Sequence, residues 1–247
     1  MIDINNIDKN IFREYDIRGK YPNQINEEIA YLIGRSYGSY IKEKLNKTKC
    51  VVGHDNRYSS LSLSNNLIKG ITDSGCDVVD CGLVTTPMYY YACIKTNIII
   101  GIMITASHNP KDDNGFKFSF DNLGNARGKM VYEFRDYTLE QKFLTGQGTV
   151  ESLNILNDYK NAIFNGIKMG NRKLKVVIDC ANGTTSLFAK EINSMFDNLD
   201  ITMLFDKSDS NFPNHHPDPV VKENIRALIK RMNKEMYIFI FFIEIIL

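Results

Sequence analysis

The sequence predicts an α/β protein of two consecutive domains, each built on a mostly parallel mixed sheet. Three observations carry that expectation. Short β-branched runs alternate with helical stretches along much of the chain, the pattern of parallel strands joined by helices. The run IIIGIMI at 98–104 is apolar at every position, as a strand covered on both faces should be. After a polar stretch at 138–148 that contains Gly146 and Gly148, the strong run LKVVIDC at 174–180 opens the pattern again. The polar stretch sets the expected boundary, giving domains 1–147 and 148–236.

Taken in order, KCVVG at 49–53 reads as a strand and 54–60 as a polar loop. Leu63, Leu67 and Ile71 recur every four residues, so 61–74 is expected to be a helix with one apolar face. Strands follow at 77–81 and 98–104. FKFSF at 116–120 alternates with period two, placing Phe116, Phe118 and Phe120 on one face and Lys117 and Ser119 on the other. Asp113-Asn114-Gly115 before it reads as a turn tolerant of positive φ. In the second domain Asn182-Gly183 makes a turn, and Thr184 or Thr185 caps a helix running to Phe196. A strand covers 201–205, and Asp218-Pro219 leads into a helix over 220–232. The tail YIFIFFIEIIL at 237–247 is apolar and β-prone, suited to a buried strand or to no designed fold.

Composition narrows the function classes. Of the 247 residues 43% are hydrophobic and 24% charged, ordinary proportions for a globular protein. A formal net charge of +1 offers no basic stripe for nucleic acid. The tail is shorter than the roughly 20 apolar residues a membrane-crossing helix needs, and Glu244 interrupts it, so no membrane span is expected. Cys50, Cys76, Cys81, Cys93 and Cys180 lack zinc-ligand spacing and lie among apolar residues; they read as reduced, buried thiols of a cytoplasmic protein.

Several loops could carry chemistry. The apolar strand ending at Ile104 leads into Thr105-Ala106-Ser107-His108-Asn109-Pro110, at the carboxyl end of a strand where α/β proteins place their sites. A phosphorylated Ser107 would bring nearly two negative charges and three acceptor oxygens, which call for a metal, a lysine or donors such as His108 and Asn109. Lys117 stands close by on the next strand. An isolated SHNP also reads as an ordinary surface turn. Glu14-Tyr15-Asp16-Ile17-Arg18-Gly19 offers a guanidinium fork suited to phosphate and a phenolic hydroxyl. Gly53-His54-Asp55-Asn56-Arg57 follows a strand, with His54 read as a loop histidine and the segment equally as a capped helix start. Phe212-Pro213-Asn214-His215-His216-Pro217-Asp218-Pro219 reads as a rigid loop rather than a two-histidine metal site. Asp179-Cys180-Ala181-Asn182-Gly183 lacks a P-loop lysine and a dinucleotide fingerprint.

Together REYDIRG, VVGHDNR, TASHNP, DNGFKF, VVIDCANG and FPNHHPDP form an ordered series from about Ile11 to about Met232. It closely resembles the α-D-phosphohexomutase superfamily, in its phosphomannomutase/phosphoglucomutase branch. The resemblance implies interconversion of hexose 1-phosphates and hexose 6-phosphates, with Ser107 carrying the phosphoryl group that is donated to the sugar. It implies catalytic roles for Ser107, His108, Lys117 and Arg18, and substrate contacts by Tyr15, Arg18, Asn109 and Lys117. It also implies Mg2+, held by the phosphate on Ser107 and by three aspartates of a DGDGDR-type loop. In the place of that loop stands the 237–247 tail. The expectation is therefore a C-terminally truncated member, through a frameshift or premature end. Its second domain is incomplete, its remaining metal ligands, sugar-binding and C-terminal domains are absent, and it is inactive alone. The alternative is a non-catalytic remnant that binds phosphate or a partner.

Overall fold

The computed structural model describes residues 7–121, 124–234 and 239–242. Two compact units divide the chain, one of Met1–Ala106 with Asp112–Ile155 and one of Ser107–Lys111 with Leu156–Leu247. The α/β expectation holds in both.

The first unit runs β1 (Ile17–Lys20), α1 (Glu27–Leu45), β2 (Lys49–His54), α2 (Ser60–Asp73), β3 (Asp77–Leu83) and α3 (Thr86–Thr96). It continues with β4 (Gly101–Ile104), β5 (Asp113–Ser119), α4 (Lys129–Glu140) and β6 (Val150–Ser152). Its strands form one mixed sheet in the order β1-β5-β4-β2-β3-β6. β4, β2, β3 and β6 run parallel, whereas β5 is antiparallel to both β4 and β1. Val78, Val79 and Asp80 pair with 150–152, so the first unit reaches Ile155 and the division falls beyond the expected 147/148. The polar stretch at 138–148 is the end of α4 and the connection into that last strand, and polarity alone did not distinguish a connection from a linker.

Alternation along the strands sorts the two faces of this sheet. Val52, Ile102, Ile104, Phe116 and Phe118 join Ile33, Tyr37 and Ile41 of α1, Leu63, Leu67 and Ile71 of α2, and Phe134 of α4 in one buried core. On the other face Gly53 lies against Val84, Met103 and Tyr89 of α3. Each fully buried leucine or isoleucine here contributes about 1.5–3 kcal/mol relative to exposure. Helix α1 starts where Asn26 Oδ1 accepts from the Ile29 amide at 3.0 Å, and it closes at Asn46 in the left-handed region (φ 52°). A Cβ on Gly34 would lie 2.1 Å from the Leu67 carbonyl oxygen, and one on Gly70 2.2 Å from that of Tyr31. The two helices thus touch backbone to backbone. Tyr37 closes the layer by donating its hydroxyl to the Ser119 carbonyl at 2.6 Å.

Some local expectations change. Residues 98–100 lie outside the strand, and β4 begins at Gly101. Asp113, Asn114 and Gly115 are strand residues, paired with Lys20, Gly19 and Arg18, because β1 extends the sheet beside them. His54 is the last residue of β2 and is buried, so it is not a loop histidine.

The second unit contains α5 (Leu156–Gly166), β7 (Leu174–Asp179), α6 (Ala189–Asn193), β8 (Leu199–Leu204), α7 (Arg226–Lys234) and β9 (Phe239–Phe242). Its sheet has the order β8-β7-β9, parallel throughout. Val176, Ile178, Cys180 and Ala189 form its core. The expected helix to Phe196 is broken into a 3-10 turn at Thr184–Leu187 and the short α6. Hydroxyl groups compete with helical bonding there: Ser186 Oγ donates to the Gly183 carbonyl at 2.6 Å. The last helix starts at Arg226 rather than 220, since Asp218 draws the Val220 amide and the Asn224 side chain into turns. Within the tail, 239–242 forms β9 beside β7; residues 237–238 and 243–247 lie outside the described residues.

Candidate phosphate-handling site

The chain leaves the first sheet at Ile104 and returns at Asp113, and Ser107 lies between. Ser107 is half-exposed and adopts a left-handed backbone, φ 54°. For a non-glycine residue that conformation costs roughly 1–2 kcal/mol, and such outliers concentrate at functional sites. His108 follows, half-exposed overall, but its Nδ1 atom is buried and lacks a hydrogen-bond partner among the described residues. Asn109 is half-exposed and Pro110 exposed. The segment Ser107–Lys111 groups with the second unit, while both of its stems belong to the first.

Arg18 and Lys117 stand on neighbouring strands. Arg18 is on β1, with its Nη2 atom 2.5 Å from Asp16 Oδ2, and both side chains are largely buried. Lys117 is on β5 opposite Met103 and is half-exposed. Burial pushes the Lys117 ammonium below the usual lysine range, and the Arg18 guanidinium pushes the same way against the Asp16 carboxylate. Two cations against one carboxylate make an edge that favours an anion. Tyr15, just before them, is exposed. Arg18 and Lys117, both named from the sequence, thus lie on the adjacent strands β1 and β5.

Two further arrangements join segments that the sequence had named only separately. Asp55, Arg57, Ser59, Ser60 and Asn114 form a buried polar network at the carboxyl end of β2. The available signal was HDNR directly after a strand. In the second unit, His215 of the FPNHHPDP loop meets Asp179 at the end of β7, with Nε2 3.2 Å from each carboxylate oxygen. Asn214 donates to Asn182 Oδ1 at 2.8 Å, so the loop is tied to the Asp179–Gly183 turn at two points. His215 engages both ring nitrogens there, Nε2 with Asp179 and Nδ1 with the His216 carbonyl. All five cysteines are buried thiols outside any disulfide.

Among the described residues no three His, Cys, Asp or Glu side chains gather where they could hold a metal ion. Mg2+ takes near-octahedral oxygen coordination, and the described residues do not supply that donor set. No helix among the described residues is long and apolar enough to cross a membrane.

Residues 9–143 match the family described as phosphoglucomutase/phosphomannomutase, alpha/beta/alpha domain I, and residues 156–244 match its alpha/beta/alpha domain II. The chain belongs to the phosphoglucomutase/phosphomannomutase family. A phosphomannomutase/phosphoglucomutase of Pseudomonas syringae pv. tomato is 42% identical over 227 residues, covering 91% of this chain and 47% of the relative. A phosphoglucomutase of Neisseria meningitidis serogroup A is 39% identical, covering 91% and 48%. A crystal structure of a phosphoglucomutase/phosphomannomutase family protein from Burkholderia thailandensis superposes with a TM-score of 0.87 at 32% identity, covering 94% of this chain and 51% of that one. The chain thus spans about half the length of the curated relatives it matches. The resemblance drawn from the six motifs to the phosphomannomutase/phosphoglucomutase branch holds, and the second family match extends through β9.

Proposed function

We propose that this chain carries the phosphoryl-donor side of a phosphohexomutase that interconverts hexose 1-phosphates and hexose 6-phosphates in the cytoplasm. The observation that carries the reading is Ser107, held in a left-handed backbone just beyond the carboxyl end of β4. Lys117 on the returning strand and Arg18 beside it supply positive charge. In the proposed reaction the bond between phosphorus and Ser107 Oγ breaks as a sugar hydroxyl bonds to that phosphorus, its proton leaving to solvent or a base. The resulting bisphosphate turns over, and its other phosphoryl group returns to Ser107. Such transfer depends on positioning and on neutralising oxygen charge, more than on covalent help from the protein. His108 and Asn109 flank the serine as donors, and Tyr15 joins Arg18 in contacting the sugar phosphate.

In this reading a phosphate on Ser107 would be one ligand of a Mg2+ ion that would neutralise charge on the transferring group, and the described residues do not supply its other ligands. The 247-residue chain assayed alone therefore gives no measurable turnover of glucose 1-phosphate or mannose 1-phosphate. Intact-protein mass spectrometry tests the donor role: purified wild-type chain carries one phosphate, and Ser107→Ala carries none. Phosphate retained in Ser107→Ala, or wild-type chain without any, counts against the donor assignment. Magnesium-dependent turnover that vanishes in Ser107→Ala keeps the donor and refutes inactivity alone.

A further inference from the structure

Both stems of the Ser107 loop meet one polar network, the entry stem through backbone bonds alone and the return stem through side chains. On the entry side, the Asp55 amide donates to the Ile104 carbonyl at 3.0 Å, and the Thr105 amide to the Gly115 carbonyl at 3.0 Å. On the return side, Arg57 Nη1 donates to the Asp113 carbonyl at 3.1 Å. Asn114 Nδ2 donates to Ser59 Oγ at 2.8 Å and to Ser60 Oγ at 2.9 Å. Asp55 joins the two sides: its Oδ1 accepts from the Arg57 amide at 3.0 Å and from Ser60 Oγ, and its Oδ2 lies 3.3 Å from Arg57 Nε. Arg57, Asn114 and Ser60 are buried to 3% exposure or less, and Asp55 to 9%.

A helix cap at the start of α2 needs only Asp55 or Ser59. It does not need a guanidinium reaching the backbone of β5, nor a fully buried asparagine donating to two hydroxyls. Burying such groups is costly unless every bond is made, so the network is positioned by the segment it grips. We propose that Asp55, Arg57 and Asn114 are positioning residues that clamp the two stems of the Ser107 loop and hold the serine in its left-handed backbone. The role rests on Ser107 being the phosphate carrier; the clamp itself is independent of that reading.

Amide hydrogen exchange on the full chain tests it, comparing peptides that span 105–113 with peptides from β2 and β3. Loss of one or two buried bonds predicts about tenfold faster exchange at 105–113 in Asn114→Ala and in Arg57→Met, without a matching rise in β2 and β3. Arg57→Lys, which keeps the charge and a donor, returns the loop toward wild type. Unchanged exchange at 105–113 in folded variants, or an equal rise everywhere, overturns the clamp. If Asn114→Ala and Arg57→Met do not fold, Ser59→Ala, which removes one acceptor of Asn114, decides by the same comparison. Phosphate occupancy measured on the same wild-type sample separates the two ideas. An unphosphorylated Ser107 with a variant-sensitive loop refutes the donor and keeps the clamp, and a phosphorylated Ser107 with an insensitive loop does the reverse.

Discussion

His215 lies with Nε2 3.2 Å from each carboxylate oxygen of Asp179 and Nδ1 2.8 Å from the carbonyl of His216. An ionised carboxylate and a carbonyl only accept, so this geometry favours the doubly protonated, charged ring. Burial opposes that charge, but the bond from Asp179, the His216 carbonyl and the Asp179 charge outweigh it. The pKa of His215 stands above the ordinary 6.5. Within this loop cluster the His215–Asp179 pair joins the FPNHHPDP segment to β7, beside the bond from Asn214 to Asn182.

The pH dependence follows from the sign of that shift. The native chain binds more protons than the unfolded chain between 6.5 and the raised value. The stabilising contribution is complete below 6.5 and is lost as pH rises through the folded pKa. Urea unfolding of the second unit, followed at rising pH from that value, should show falling stability, and His215→Gln should flatten the profile. A wild-type profile as flat as that of His215→Gln would show that the pair does not hold the charge.

Lys117 bears the opposite sign. Its pKa is lowered by burial and by Arg18, so charged Lys117 destabilises the folded chain at neutral pH. Lys117→Met should raise the melting temperature near pH 7 while removing one of the two cations offered to phosphate. The gain should shrink in alkaline buffer, as wild-type Lys117 releases its proton in the folded state first. Thermal melts of both proteins across that range measure it.

The backbone of Ser107 separates cost from chemistry. Replacement by glycine removes the left-handed penalty, whereas alanine keeps it. Ser107→Gly should therefore unfold at higher denaturant than Ser107→Ala, by about 1 kcal/mol in fitted stability. Neither variant should carry phosphate. Equal stabilities would show that the loop relaxes to an ordinary conformation once the hydroxyl is gone.

Much of the frame was legible because burial leaves a periodic trace. Leu63, Leu67 and Ile71 announced α2, and Phe116, Phe118 and Phe120 announced the buried face of β5. Helix α1 carries the same trace in Ile29, Ile33, Tyr37 and Ile41, yet Gly34 and Gly38 weakened it, and the reason for Gly34 lies in the distant Leu67 carbonyl. Asp113-Asn114-Gly115 looked like a turn because those residue types favour turns. Pairing with β1 overrode that preference, and nothing local to 113–115 encodes the partner. The site shows the same division. Ser107, Arg18 and Lys117 were named from motifs and strand ends, while the bonds from Arg57 to Asp113 and from His215 to Asp179 join segments far apart in the chain.

The placement of β1 also sets an order of assembly. Ile17 and Arg18 pair with Phe116 and Gly115, so β1 has no strand partner until β5 has been synthesised. A chain growing from the ribosome must keep Arg18 waiting while α1, β2, α2 and β3 form beside it, and contacts of such long sequence separation close slowly. The anion-attracting edge is therefore among the last parts of the first unit to form. A nascent chain exposes its cationic strand before the returning lysine arrives, and folding errors at that step would fall on the site and on the Ile17–Phe116 part of the core.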